Sequence, residues 1–545
     1  MKNRYSYLNY LFIVWNFALV TPSSGQYMPA PTPSYYVTRI KEINPTGNGL
    51  GAYSFIEFQN KVYFTGNDGV NGYELWATDG TAAGTVLVKN INLNGSSAPH
   101  SFVVMNGVLY FSADNGVHGR ELWKTDGTAS GTQLVRDINP SGDSFPGSFA
   151  VSGTTLFFVA DNGSAGWELW KTDGTTDGTR LVKDINPSGN GLANLAELEM
   201  FDGKVYFGGN TSASGTELWV SDGTSAGTVQ VKNINPNGSS SPSWLRVCNG
   251  QLFFRAQGNT GEWELWKTNG TSAGTQLVKA IPATYLTVVG TTLFFVGENA
   301  TYGTELWKSD GTSAGTVLVR NINPAGGSHP YGLRAFQNQV YFGANDGTGI
   351  AFWKSNGTAF GTQRVISVEP ERITVIGNYL YFAAGRLWRS DGTSAGTKEM
   401  GVGYDYTNPH FMMGYGNLVL FAANDQQGVS GTDNYELHKL APCYACPVGQ
   451  VRQGTEPELA AEMALTVLKN PTPDEITVEV RGAGGKPLSL QLTNLQGQLI
   501  ESRTIPEPLT TERQRFDVRQ LPPGLLLLRA ISADQTQTVR IGKSE

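Results

Sequence analysis

The sequence predicts an all-β chain: a closed β-propeller of about nine four-stranded blades, followed by a small Ig-like β-sandwich. Three observations carry the prediction. Composition is the first: 67 of 545 residues are Gly and only 16% are charged, so turn formers abound and helix formers are scarce. The second is a unit that recurs along residues 36–440, read in its second copy as SFVVMNGVLYFSADNGVHGRELWKTDGTASGTQLVRDINPSG. The third is the content of each unit: four short β-like runs between Gly-rich turns, with no useful stretch of 3.6-residue periodicity.

Residues 1–25 have the pattern of a secretory signal, with Lys2 and Arg4, then the apolar run Leu11 to Val20, then Ser23, Ser24 and Gly25. That run is too short for the roughly 20 residues of a membrane-spanning helix, and no other segment is apolar enough to be one. Residues 26–35 are a linker. The net charge of −7 offers no basic stripe to neutralise phosphates, which argues against nucleic acid and anionic membranes as partners.

Within the second unit the strands are expected at Phe102 to Met105, Val108 to Ala113, Glu121 to Lys124 and Gln133 to Ile138. Asn106-Gly107 between the first two is a type I′ hairpin signal, because both central positions need positive φ. Asp126-Gly127-Thr128 with Gly131-Thr132 is a longer turn of the same chemistry between the last two. Trp76, Trp123, Trp170, Trp219, Trp266, Trp307, Trp353 and Trp388 mark successive units, 35 to 49 residues apart, and His438 takes the Trp place in a ninth.

The strand count predicts closure. A fourth-strand sequence (Tyr36 to Ile40) precedes the first complete unit, and the ninth unit ends without one. A ring whose N-terminal strand completes the last blade hides the edges that an open array would expose. Nine blades exceed the usual four to eight.

The runs ELWATDGT, ELWKTDGT (twice), ELWVSDGT, ELWKTNGT and ELWKSDGT resemble the ELWxxDGT repeat family, over about three quarters of the chain. The resemblance implies a bacterial surface or secreted protein and no single shared activity. A residue that returns in every unit does the same packing job each time: the Trp fills space between blades, and the Asp caps its turn. A calcium role for that Asp is weaker, because each loop offers one carboxylate where calcium takes six to eight oxygens. Asn also replaces it at 269 and 356. No cofactor is expected.

In a four-stranded meander, the near-invariant turns share one face and the variable connections the other, which makes the variable face the candidate for ligand binding. One position on it, just before the ELW glutamate, alternates between aromatic and other residues. Tyr73, Arg120, Trp167, Trp263 and Tyr435 are the candidate ligand-binding residues there, able to stack on sugar rings or to pack on a neighbouring loop. The stretch from Ile350 to His438 departs most from the repeat, either because closure relaxes it or because a partner docks there. Catalysis has little support: five histidines (His100, His118, His329, His410, His438) show no metal-ligand spacing, and neither GxSxG nor HExxH occurs. The expected function is a binding or adhesion module for an extracellular glycan or protein. A polysaccharide-active enzyme with an acid pair assembled from separate blades, or a structural coat protein, are the alternatives.

Three cysteines occur. Cys248 stands where Met105 stands in the second unit and is expected as a small buried hydrophobe. Cys443 and Cys446, in a Pro-rich junction, could form a local disulfide after export, stay plain thiols, or serve redox or metal chemistry.

After a linker over 441–464, residues 465–545 alternate apolar and polar positions between turn signals, as a small β-sandwich would. Asn470-Pro471-Thr472, the turn Asn494 to Gly497, Leu521-Pro522-Pro523-Gly524 and the basic strand Arg540 to Lys543 closely resemble the type A sorting domain of the type IX secretion system. That resemblance implies passage across the outer membrane, engagement of the type IX machinery by residues 465–545, and a secreted or outer-surface location.

Overall fold

The computed structural model describes residues 34–51, 55–194, 196–401, 406–425, 435–443, 464–467, 474–481, 487–494, 498–506, 511–532 and 536–543. The signal segment, Cys446 and Asn470-Pro471-Thr472 lie outside them. The chain divides into two compact units, residues 1–449 and 450–545.

The first unit holds nine four-stranded antiparallel sheets among the described residues, each an uninterrupted meander in chain order except the last. Blade 2 illustrates the rest, with strands His100–Met105, Val108–Asp114, Arg120–Thr125 and Gln133–Arg136. Each lies within two residues of its sequence-predicted bounds. The hairpin between its first two strands has φ of 52° at Asn106 and 72° at Gly107, the positive values that Asn-Gly signals. At the longer turn Gly127 has φ of 91°, and a Cβ there would stand 2.6 Å from the Tyr63 hydroxyl of blade 1. Glycine is therefore required twice over, by conformation and by the approach of the preceding blade.

The ninth sheet takes its fourth strand from the other end of the chain. Ser34–Lys41 pairs antiparallel with Tyr435–Cys443, and Val37 and Ile40 are buried beneath the seam. Closure is repeated at the level of single bonds. In blades 1 to 6 a basic residue of the fourth strand donates to a threonine carbonyl of the following blade: Lys89 to Thr132, Arg136 to Thr179, Lys183 to Thr228, Lys232 to Thr275, Lys279 to Thr316 and Arg320 to Thr362. Lys41, from the N-terminal strand, makes the same bond to Thr85 of blade 1 at 2.8 Å. Lys439 of blade 9 likewise reaches the Gly80 carbonyl as Lys124 reaches that of Gly174.

The core lies between blades. Trp123 packs with Phe58, Tyr63 and Leu75 of the preceding blade, and Trp76 packs with Leu420, Ala422 and Leu437 of blade 9. His438 is fully buried in the ninth Trp place and stacks on Phe421. Cys248 is buried at 3% exposure in such a cluster, and burial pushes its thiol pKa up.

Successive blades touch through their first strands, which therefore line the axis of the ring. Blades 2, 3 and 5 to 9 carry a register shift in that strand. The first residue of the bulge is left-handed: Ser101, Ser148, Trp244, Tyr285, Gly332, Arg372 and Asn408, with φ between 53° and 65°. The extra residue re-aims the strand, so that the next one (Leu245, Leu286, Leu333 or Ile373 in blades 5 to 8) is buried in the core.

The second unit is a sandwich of a three-stranded and a four-stranded sheet. Alternate residues of Glu475–Arg481 (Ile476, Val478, Val480) meet alternate residues of Leu488–Asn494 (Leu488, Leu490, Leu492) in one core with Phe516, Leu528 and Ile541.

Candidate ligand-binding face

In blades 1 to 4, 6 and 9 the connection that follows the fourth strand is held by one buried side chain, the glutamate of ELW. Glu121 accepts hydrogen bonds from Ile138 N (2.8 Å), Asn139 N (3.2 Å) and Ser144 Oγ (2.6 Å), all in the connection to blade 3. Glu74 does the same with Ile91, Asn92 and Ser97, and Glu217 with Ile234, Asn235 and Ser240. Glu305 repeats it with Ile322, Asn323 and Ser328. These carboxylates are fully buried, so their partners compensate the loss of water. Across the seam, Glu436 of blade 9 accepts from Ile43 and Asn44. In blade 3 the serine is replaced by Gly191, where a Cβ would stand 2.3 Å from the Glu168 carboxylate.

Burial dominates the titration of these groups and raises it, although the donated hydrogen bonds pull the other way. Glu121 and Glu168 are pushed up to about 7 and Glu436 to about 8, while Glu74, Glu217 and Glu305 shift in the same direction. Blade 5 differs. The connection after it has Ile281-Pro282-Ala283 in place of the longer loop, and Glu264 turns instead to Trp266 Nε1 at 3.1 Å. Blades 7 and 8 have no such glutamate, with Ala351 and Arg386 in its place.

Each candidate stands one residue before the ELW glutamate, at the mouth of the connection between second and third strands, on its own blade. Tyr73 pairs across with Asn67, Arg120 with Asp114, Trp167 with Asp161, Trp263 with Gln257 and Tyr435 with Asn424. Arg120 donates from Nη1 to the Ala98 carbonyl (2.9 Å) and from Nη2 to that of Ser97 (3.3 Å), both in the loop entering its blade. Trp167 lies 6.1 Å from Phe145, itself 42% exposed, on the loop entering blade 3. The Arg255 guanidinium covers the Trp263 ring at 3.9 Å. The Tyr435 hydroxyl accepts from Asn408 Nδ2 (2.7 Å), and its ring meets His410. Arg120 and Trp167 thus engage the loop entering their own blade, whereas Trp263 and Tyr435 engage strand residues of theirs.

Between the rims of blades 4 and 5 the face opens into a recess of about 410 Å³, lined by Ala193, Ala196, Glu197, Gly208, Thr216 and Pro242 among others. It forms where blade 4 places small residues. Gly208 stands opposite Leu218, at the register where blade 5 places Arg255 opposite Leu265.

On the opposite face the repeated aspartate caps its own turn. Asp126 Oδ1 accepts from Thr128 N (2.9 Å) and Thr128 Oγ1 (2.7 Å), and Asn269 does the same with Thr271. Among the described residues no group of three or more His, Cys, Asp or Glu is placed to hold a metal ion. Cys443 ends its strand, and the pairing proposed for it with Cys446 lies beyond the described residues.

The match to a known family model falls on the C-terminal sandwich. Residues 467–543 match the secretion system C-terminal sorting domain. This sorting domain marks the protein for type IX export, to the cell surface or the extracellular space. Among the described residues no helix is long and apolar enough to cross a membrane. Among curated proteins nothing matches the chain. Solved structures similar to it include a puromycin hydrolase (10% identity, TM-score 0.34, 60% of this chain against 58% of that one). Oligopeptidase B from Leishmania major aligns at 9% identity and TM-score 0.35, over 60% of this chain and 53% of that one. An uncharacterised protein of Listeria monocytogenes aligns at 9% and 0.33, over 67% of this chain and 97% of that one. The chain thus spans little more than half the length of those peptidases.

Proposed function

We propose that this exported ring is a binding module for an extracellular glycan or protein, displayed at the cell surface or released. Its N-terminal 25 residues serve as the signal for the inner membrane, and residues 465–545 engage the type IX machinery. The observation that carries the reading is the glutamate clasp. It fixes the backbone of the variable connections by the same bonds in blade after blade, while leaving the side chains above it free to differ. Rigid scaffold below and varied surface above is the organisation of a recognition face.

The test is retention of the purified full chain on an immobilised panel of polysaccharides and extracellular proteins, scored for binding and for new reducing ends. Binding without cleavage, weakened in the double variant Trp167→Ala and Trp263→Ala, is the expected result. New reducing ends would make the protein a polysaccharide-active enzyme. Retention of nothing on the panel would leave a structural coat role and overturn the reading.

A further inference from the structure

The axial bulge recurs in seven blades, but its left-handed position is not filled alike. Five blades place Ser101, Ser148, Gly332, Arg372 and Asn408 there, small or polar residues. Blades 5 and 6, side by side, place Trp244 (φ 58°) and Tyr285 (φ 55°), bulky side chains that seldom adopt this backbone conformation. Their rings meet at 5.0 Å between centroids, tilted by 46°, and Tyr285 is 39% exposed. Both line a recess of about 340 Å³ built from the first strands of blades 4 to 7. To one side stand Glu199 and the ion pair of Arg246 with Glu197 (2.7 Å). To the other stands Arg334, exposed, with Nη1 donating to the Leu333 carbonyl at 2.9 Å.

An aromatic platform with polar groups at both edges suits a ligand that is flat and apolar on one side and ringed with hydroxyls, which describes a sugar ring. Arg246 is offset by its ion pair with Glu197, which lies outside the lining, leaving Glu199 and Arg334 as opposite charges at the two edges, so the site selects no net charge. We propose that this axial recess binds a pyranose unit of a neutral polysaccharide, its C–H face on Tyr285 and Trp244 and its hydroxyls reached by Glu199 and Arg334. The proposal rests on the binding-module reading and places the ligand in the central channel, apart from the rim.

The same left-handed backbone supplies a clean test. Glycine relieves the conformation and removes the platform, and blade 7 already carries Gly332 at the equivalent position. Affinity electrophoresis of the full chain in gels containing galactomannan, xyloglucan, laminarin or hydroxyethylcellulose, with polygalacturonate as the acidic polymer, measures binding. At least one neutral polymer is expected to retard the wild type. Tyr285→Gly, alone or with Trp244→Gly, then raises the dissociation constant by about tenfold or more without lowering the melting temperature. Arg334→Ala, at an exposed position, weakens retardation several-fold and serves should a glycine variant not fold. Retardation by polygalacturonate alone, by no polymer, or equally in wild type, Tyr285→Gly and Arg334→Ala overturns the proposal. A protein retained in the panel assay, or a glycan lost on Trp167→Ala with Trp263→Ala but not on Tyr285→Gly, would leave the binding-module reading standing without it.

Discussion

The two faces of the ring are each stitched by recurring hydrogen bonds, yet only one of them varies in what it shows to solvent. On the turn face the aspartate and the threonine after it are exposed or near the surface and recur almost unchanged, so the motif and its structural job coincide. On the loop face the recurring element is the fully buried glutamate, and the residues above it change from blade to blade. Turn bonds are local, spanning two or three residues, whereas each clasp ties a strand to a loop 17 to 23 residues on. A local bond survives a change of partner; a buried long-range one leaves desolvated donors when it is cut.

The comparison can be broken first at the seam, where both faces depend on one strand. Val37→Asp with Ile40→Asp would bury two unpaired carboxylates where the N-terminal strand docks, at 4% and 3% exposure. A loss on the order of 5 kcal/mol or more is expected, read as loss of the cooperative melting transition. An unchanged melting curve would mean that the ring does not depend on its closing strand.

Cutting one clasp should cost less. Glu121→Ala strands Ile138 N, Asn139 N and Ser144 Oγ, and about 2–4 kcal/mol is expected by denaturant unfolding. The clasp also sets a pH dependence. Glu121 and Glu168 titrate in the folded ring at about 7 and Glu436 at about 8, above the ordinary carboxylate range. Protons are therefore held more tightly folded than unfolded. Their stabilising contribution is complete below the ordinary glutamate range and is lost as pH rises through 7 to 8. The melting temperature should be higher at pH 5.5 than at pH 8.5, with the difference reduced in Glu121→Gln; a rise toward pH 8.5 would contradict this assignment.

The smallest effect belongs to the turn face. Asp173→Asn keeps the acceptor for Thr175, as Asn269 does for Thr271, so the melting temperature should move by no more than about two degrees. A drop as large as that of Glu121→Ala would erase the distinction between the faces.

Much of this was legible beforehand because it is local. Asn106-Gly107 needs positive φ wherever it sits, Asp126 finds Thr128 two residues away, and Tyr36 to Ile40 reads as a fourth strand without a blade of its own. The clasp leaves its own trace in the sequence: a serine stands 23 residues after Glu74, Glu121, Glu217 and Glu305. The rim candidates stand at the mouths of the connections, but their partners (Phe145 for Trp167, Arg255 for Trp263) follow from packing and not from spacing.

By itself, then, the sequence determined the blade, its turns, its number of copies and the sorting domain, because period-two alternation, turn chemistry and repetition are properties of neighbouring residues. Tertiary structure alone decided which side chains meet across blades. Trp244 and Tyr285 are 41 residues apart in sequence and in contact only because a bulge turns each toward the axis and the ring sets their strands side by side.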